Sequence, residues 1–466
     1  MDQRKNKAVA TLISRGRSLM LNRLKNLTRD HFFRNVVVLA SGTIISQLLI
    51  LATLPIITRL YNPAEYGVYS MYTSIISIML MLVSFSYEQA ITLPEEDRVA
   101  SSLLSLSLRI CVAMSLLGGV GVYFLAGPLA TWAHEPDIRE FFIFFILSLF
   151  FGGFYQILNG WSIRKKYFRQ LSRTKYTQSF SLVSAQLLFS GLFKGPLGLI
   201  LGDVAGRLGG LIPQWRIWRK DVKQDALHTT WSDIKESAYR YRRFPMLSLA
   251  SNMLNSLGIY LPTILLAAFY GPHVAGWFAL GQRILGSPMT LITSSVMNVY
   301  LSESSQYRLH APHKLYPLFK RTVRNIFLFG LAIVLVMVFI APSAFAFLFG
   351  PEWGNSGQIV RLLGVMYLSQ FVANAVGTTI DVMERQDLHL YREIVRVIIV
   401  LGALLLAKYT GQGSMTAVLW FSLASTLGYM LHLWMSWTAV KKYRNLPAEP
   451  EPGNEAGAGA GQGQEE

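Results

Sequence analysis

One otherwise apolar stretch carries an arginine in its interior: Arg283, followed by Ser287, Thr290, Ser294 and Asn298. At helical spacing these five residues share one face. A guanidinium in hydrocarbon is costly and requires water or a partner, so this face is expected to look inward. Guanidinium forks match phosphate oxygens well. Hydroxyls and amides both donate and accept, which suits sugars. Ser70, Ser74, Ser77, Ser84 and Glu88 form a second stripe, and Gln370, Asn374, Thr378 and Asp381 a third. Shorter sets are Asn252, Asn255, Ser256 and Thr263; Ser41, Ser46 and Gln47; and Gln156 with Asn159. A single Ser or Thr more often bonds its own backbone or joins two helices. That explanation does not cover Arg283. Arg59 is a second candidate cation, at the mouth of the expected cavity. Arg109, Arg361 and Arg396 lie near segment ends, where their heads are predicted to snorkel to the headgroups.

Three carboxylates, Glu88, Asp381 and Asp203, are candidates for H+ or Na+ coupling. Asp203 and Arg207 stand four apart, a spacing that predicts an ion pair on one helix face. Gly198, Gly202 and Gly206 in the same segment predict close helix contact. No Gly-x4-Gly-Lys-Ser/Thr motif is present, so ATP use within this chain is not expected. Cys111 is the single cysteine, which excludes an intrachain disulfide framework and a multi-cysteine metal site. No metal site and no cofactor are expected.

The elements that position these residues are membrane spans. The chain has 466 residues, of which 52% are hydrophobic and 15% charged, against roughly 25% charged in soluble domains. Apolar runs are predicted to span at about 35–58, 66–87, 102–126, 138–160, 174–193, 195–215, 245–269, 275–300, 324–349, 358–382, 393–409 and 414–438. The turn at Lys194 and Gly195 is the place where this span count is most exposed to error.

The formal net charge of +17 could suggest nucleic acid, but the basic residues sit in alternate connections, the pattern set by membrane insertion. They cluster in residues 1–34, Arg164–Lys175, Arg216–Arg243, Arg308–Arg324, Arg385–Arg392 and Lys441–Arg444. This sorting predicts both termini in the cytoplasm and no nucleic-acid partner.

The sequence repeats itself. Leu60, Tyr61, Asn62 and Pro63, with Gly67, recur as Phe269, Tyr270, Gly271 and Pro272, with Gly276. Leu-Ala-Ser opens both preceding runs, at Leu39 and Leu249. A shift of 209 residues superposes Pro63 on Pro272 and Ser74 on Arg283. Such repeats are a common transporter architecture, with the substrate site between them. Pro55, Pro262 and Pro288 are expected kink points.

The expected organisation is a basic amphipathic leader over 1–34, a six-helix lobe over 35–220, a cytoplasmic linker over 221–243, a second six-helix lobe over 244–444, and a disordered tail over 445–466. In the leader, Val9, Leu12, Ile13, Leu19, Met20, Leu24 and Leu27 fall on one helical face. The linker carries Trp231 and is flanked by Trp215 and Trp218, which suits the membrane interface.

Pro55-Ile-Ile-Thr-Arg59-Leu-Tyr-Asn-Pro63 with Tyr66 and Gly67, then Tyr87-Glu88-Gln-Ala-Ile-Thr-Leu-Pro94, resemble the bacterial O-antigen and exopolysaccharide flippases. Gly350-Pro-Glu-Trp353 and Arg385-Gln-Asp387 resemble the second half of such proteins, and the similarity runs from about Phe32 to Tyr443. The wider group is the multidrug, oligosaccharidyl-lipid and polysaccharide transporter superfamily. The resemblance implies an all-α integral membrane protein of about twelve helices, in two pseudo-symmetric lobes around a V-shaped cavity. It implies alternating access for a polyprenyl-diphosphate-linked oligosaccharide in the bacterial inner membrane.

Membrane lipids, a polysaccharide polymerase and a chain-length regulator are the expected partners. The peptidoglycan-precursor branch carries an Arg-Asp pair in its first helix; Leu51-Ala-Thr-Leu-Pro55 here has none. The alternatives are a cation-coupled drug exporter of the same fold, a membrane polysaccharide polymerase or ligase, and a scramblase needing no ion gradient. For an enzyme, the outer turn offers only His134, Glu135 and Asp137.

Overall fold

The computed structural model describes residues 31–124, 127, 141–222, 229–383, 385 and 387–444. The leader before His31, the tail after Arg444, and the turn with His134, Glu135 and Asp137 lie outside the described residues.

Every described element is helical. In chain order they are α1 (His31–Leu60), α2 (Pro63–Leu82), α3 (Tyr87–Ala90), α4 (Asp97–Phe124), α5 (Phe142–Arg164), α6 (Phe168–Ser190), α7 (Leu197–Ile217) and α8 (Trp231–Arg240). They continue as α9 (Leu249–Tyr270), α10 (Pro272–His310), α11 (Leu315–Phe349), α12 (Gly354–Ala375), α13 (Thr379–Val382), α14 (Asp387–Tyr409) and α15 (Ser414–Lys441). Twelve of these have 20 residues or more, and each matches one predicted span. A 20-residue helix is about 30 Å long, the thickness of a bilayer core.

Among the described residues, eight helical stretches are long and apolar enough to cross a membrane. The other four long helices are α2, α6, α7 and α14. Polar side chains lower their apolarity: hydroxyls along α2, Arg and Lys at the start of α6, the Asp203–Arg207 pair in α7, and Arg392, Glu393 and Arg396 in α14. The chain turns at Gly195, which has φ +72°, so α6 and α7 are separate helices packed against each other. Gly202 and Gly206 leave no room there for a Cβ, facing Gln186 and Leu182 of α6. The helices run on through Pro55, Pro262 and Pro288.

The chain folds into two compact units, Met1–Ala279 with Ala346–Trp353, and Leu280–Phe345 with Gly354–Glu466. The repeat phrases meet inside the first unit. A Cβ on Gly67 would lie 2.6 Å from the carbonyl carbon of Pro272, and one on Gly276 would lie 2.9 Å from that of Pro63. The two glycines therefore receive each other's proline carbonyl reciprocally, as a local two-fold would require. Asn62 caps α2 through a capping box with Glu65. Trp353 donates from Nε1 to the Thr58 carbonyl at 2.9 Å and stacks edge-on with Tyr66.

Elsewhere in this unit, Val83, Leu103, Cys111, Ile157 and Trp161 form a buried cluster under α8. In the second unit Tyr300, Phe319, Val376, Val382 and Val440 form the corresponding cluster.

The second predicted polar stripe is corrected by the backbone. Helix α2 stops at Leu82, and Phe85 and Ser86 adopt φ of 50° and 60°. Ser84 and Glu88 therefore lie beyond the helix that carries Ser70, Ser74 and Ser77. They pair with each other instead, the Ser84 hydroxyl donating to the Glu88 carboxylate.

Candidate functional site

The second unit holds a half-open cavity of about 290 Å³, near the lower end of the range for ligand pockets. Helix α10 lines it with Gly286, Met289, Thr290, Thr293, Ser294 and Met297, one stripe at helical spacing. Helix α12 adds Tyr367, Gln370, Phe371 and Asn374, and the following turns add Gly377, Thr378 and Asp381. Arg392 of α14 and His432 of α15 complete the wall.

Of the residues singled out from sequence, Thr290, Ser294, Gln370, Asn374, Thr378 and Asp381 come together here. Thr290 donates to the Gly286 carbonyl at 2.7 Å and Ser294 to the Leu291 carbonyl at 2.9 Å. Each hydroxyl spends its proton on its own helix and keeps lone pairs for a ligand. The Tyr367 hydroxyl donates to the Gln282 carbonyl at 3.2 Å, fixing α12 against α10. The Thr378 hydroxyl is buried and has no hydrogen-bond partner among the described residues.

Arg283, half-buried and already engaged, continues the α10 stripe one turn before Gly286. Ser287 is half-buried and Asn298 exposed; neither lines the cavity.

Other candidates lie in the first unit. Ser74 is buried and donates to the Ser70 carbonyl at 2.7 Å; Ser77 donates to that of Thr73 at 2.7 Å. Arg59 and Asn255 are exposed, and Asn252 is half-buried. Asp203 forms the expected pair, accepting from Arg207 Nε at 2.6 Å. Ser148 also donates to Asp203, at 3.1 Å, and receives the Tyr72 hydroxyl at 2.8 Å. Gln214 donates to Asn159 at 2.6 Å.

Sequence reasoning missed the charged cluster of α14. Arg392 Nη1 lies 2.7 Å from His432 Nδ1, Arg392 Nη2 pairs with Glu393, and Arg396 Nη2 lies 2.7 Å from Glu393 Oε2. Arg396 was expected to snorkel; it is buried instead, because Glu393 and the ring of Tyr429 hold it inside. Glycines make the room: a Cβ on Gly428 would meet Arg396 Cγ at 2.9 Å, and one on Gly377 would meet His432 Cε1 at 3.0 Å. The one sequence signal was the Arg-Glu-x-x-Arg spacing inside an apolar run, which puts all three on adjoining faces.

Below the first unit's core, the motif Tyr87 to Pro94 forms a tight elbow. Arg164 donates to the carbonyls of Pro94 and Glu95 and pairs with Asp97 at 2.9 Å. Tyr87 donates to the Ala238 carbonyl of α8 at 3.1 Å.

The comparisons with known proteins fit this architecture. A multidrug resistance MATE family transporter in its inward-facing conformation aligns with a TM-score of 0.70 at 14% identity, covering 86% of this chain and 96% of that one. The lipid II flippase MurJ, inward closed, aligns with a TM-score of 0.70 at 12% identity, over 88% of this chain and 90% of that one. These likenesses show the fold of a multi-pass membrane protein.

By sequence, the chain is 23% identical over 302 residues to the amylovoran biosynthesis protein AmsL of Erwinia amylovora, covering 62% of this chain and 73% of AmsL. It is 21% identical over 400 residues to the succinoglycan biosynthesis transport protein ExoT of Rhizobium meliloti (strain 1021), covering 83% of this chain and 76% of ExoT. A family model described as polysaccharide biosynthesis protein matches residues 56–358. The chain belongs to the polysaccharide biosynthesis protein family.

Proposed function

We propose that this protein carries a polyprenyl-diphosphate-linked oligosaccharide across the bacterial cytoplasmic membrane by alternating access. It is a transporter, not an enzyme. One observation carries the reading: a cavity lined by hydroxyls, amides and a guanidinium lies within a unit of membrane-spanning helices. A glycan headgroup cannot cross hydrocarbon without a lining that replaces its hydration. Thr290, Ser294, Gln370 and Asn374 supply that replacement, and the lipid tail stays in the bilayer. Arg283, on the same stripe of α10, is the proposed partner of the headgroup's charge.

Coupling to H+ or Na+ is assigned to Asp381, which lines the cavity, ahead of Glu88 and Asp203. The sorting of basic residues supports two cytoplasmic termini. A polymerase and a chain-length regulator are the proposed consumers of the exported unit.

The test is transport of a labelled lipid-linked oligosaccharide in reconstituted vesicles under an imposed H+ or Na+ gradient. Arg283→Ala should lose transport while keeping its membrane abundance, and Asp381→Asn should lose gradient dependence. Unaltered transport in Arg283→Ala rejects that residue's role. Absence of any transport by the native chain rejects the function.

A further inference from the structure

We propose that a groove on α12, walled by α11 and α15, seats one anionic phospholipid of the surrounding bilayer, with Arg361 holding its phosphate. The groove shares no lining residue with the cavity of Thr290 and Gln370. Its occupancy is independent of what the chain transports.

The groove has a volume of about 670 Å³, is half-open, and is lined by Val338, Asn355, Gln358, Arg361, Leu362 and Met415. That volume falls within the usual range for ligand pockets. Its walls are fixed against one another. A Cβ on Gly364 would meet Val338 Cγ2 at 3.0 Å, and one on Gly357 would meet Pro342 Cα at 2.6 Å, so α11 and α12 are in close contact. The Ser422 hydroxyl donates to the Leu362 carbonyl at 2.7 Å and ties α15 to α12. A seat between fixed helices has little freedom to lose when a ligand fills it.

Arg361 has no hydrogen bond and no ion pair among the described residues, and no carboxylate lines the groove. Its surroundings are apolar and open. Val336, Phe339 and Ile340 of α11 are 55%, 77% and 55% exposed, and Val365, one turn further along α12, is 54% exposed. On helices long and apolar enough to cross a membrane, such side chains face lipid. A guanidinium at that level is unfavourable until water or a counter-charge reaches it.

The groove has the layout of a phospholipid. Arg361 lies about 10 Å along α12 from Gly354. Helical side chains lean toward the N-terminus, so its stem points back along that stretch. Gln358 and Asn355 precede it there at three-residue spacing, both exposed. Each amide both donates and accepts, so a polar track leads from the end of the helix to the cation. Val338, Leu362 and Met415 form the apolar wall beside it, which suits an acyl chain. One unpaired guanidinium matches one phosphate diester through its fork. Phosphatidylethanolamine would bring an ammonium that this groove has no carboxylate to receive. Phosphatidylglycerol brings hydroxyls instead, which the amide oxygens of Asn355 and Gln358 accept.

The full chain, purified in detergent, is titrated with phosphatidylglycerol and phosphatidylethanolamine of matched acyl chains, and retained lipid is read by native mass spectrometry. Phosphatidylglycerol should bind about tenfold more tightly, as a charge-assisted fork to phosphate implies. Arg361→Gln should remove that preference, Arg361→Lys should keep part of it, and Gln358→Ala should weaken it several-fold. Arg321→Gln removes an exposed arginine of α11 outside the groove and should leave the preference as it is.

Undiminished preference in Arg361→Gln overturns the seat, as does equal retention of the two lipids by the native chain. An equal loss in Arg321→Gln also overturns it, because the preference then follows overall charge. Polyprenyl diphosphate that displaces phosphatidylglycerol at equal concentration reassigns the groove to a carrier lipid and overturns the bilayer occupant. If Arg361→Gln fails to accumulate, Arg361→Lys and Gln358→Ala carry the test, and a native preference in both overturns the seat.

Discussion

Replacing Gly67 by Ala tests the reciprocal crossing of the two repeat phrases. The added Cβ would stand 2.6 Å from the carbonyl carbon of Pro272, and closer still to its oxygen. Carbon atoms settle at about 3.5–4.0 Å, so α2 and the start of α10 must part by about 1 Å. The obstacle is backbone, with no side chain free to swing aside. Overpacking costs about 1–3 kcal/mol, and a rigid neighbour places this site at about 3 kcal/mol.

Gly276→Ala meets the carbonyl of Pro63 in the same way, so it should cost about as much. Because both variants force the same separation, the double variant should cost clearly less than the two singles added. Gly271→Ala is the control. Its φ of +87° and ψ of 168° lie in a region essentially reserved for glycine, and no atom lies within 4 Å of its Cβ position, so only backbone strain of about 1–3 kcal/mol applies. Thermal unfolding of the detergent-purified chain reads all four. A native-like midpoint for Gly67→Ala, or strict additivity in the double variant, refutes the shared crossing.

Asp203→Asn should destabilise the first unit by about 3–5 kcal/mol, because Arg207 is left buried without its carboxylate. Asp203→Leu with Arg207→Met should recover most of that loss in the same thermal assay, and equal damage from both would contradict the pair's role. At α8, the Thr230 hydroxyl, the Thr230 amide and Arg98 hold the Asp233 carboxyl below its ordinary value. A carboxylate with a lowered folded value stabilises above its unfolded value, near about 3.9, and loses that contribution as pH falls through the folded one. Hydrogen exchange of the α8 amides, corrected for intrinsic chemistry, should therefore rise on acidification below about pH 4. Asp233→Asn should show the raised exchange already at neutral pH, and matching profiles would count against the cap.

Spans, repeats and charge sorting were legible in the chain itself. Each long helix fell on a predicted apolar run, because length and hydropathy are local properties that the bilayer reads directly. The Asp203–Arg207 pair and the close approach of α6 and α7 were legible for the same reason: both follow from spacing on one helix. Ser70, Ser74 and Ser77 shared a face as expected, but Ser84 and Glu88 did not, since the left-handed turn at Phe85 and Ser86 has no glycine to announce it.

Tertiary structure alone decided which polar faces meet. Thr290, Ser294, Gln370, Asn374, Thr378 and Asp381 came from two separate stripes into one cavity, while Ser287 and Asn298 stayed outside it. Arg392 and His432 are 40 residues apart, and nothing in either one's neighbours signals the other. Their meeting depends on α14 packing against α15, with Gly377 and Gly428 leaving space for the ring and the arginine stem. Periodicity specifies which side of a helix is polar; only packing specifies what that side faces.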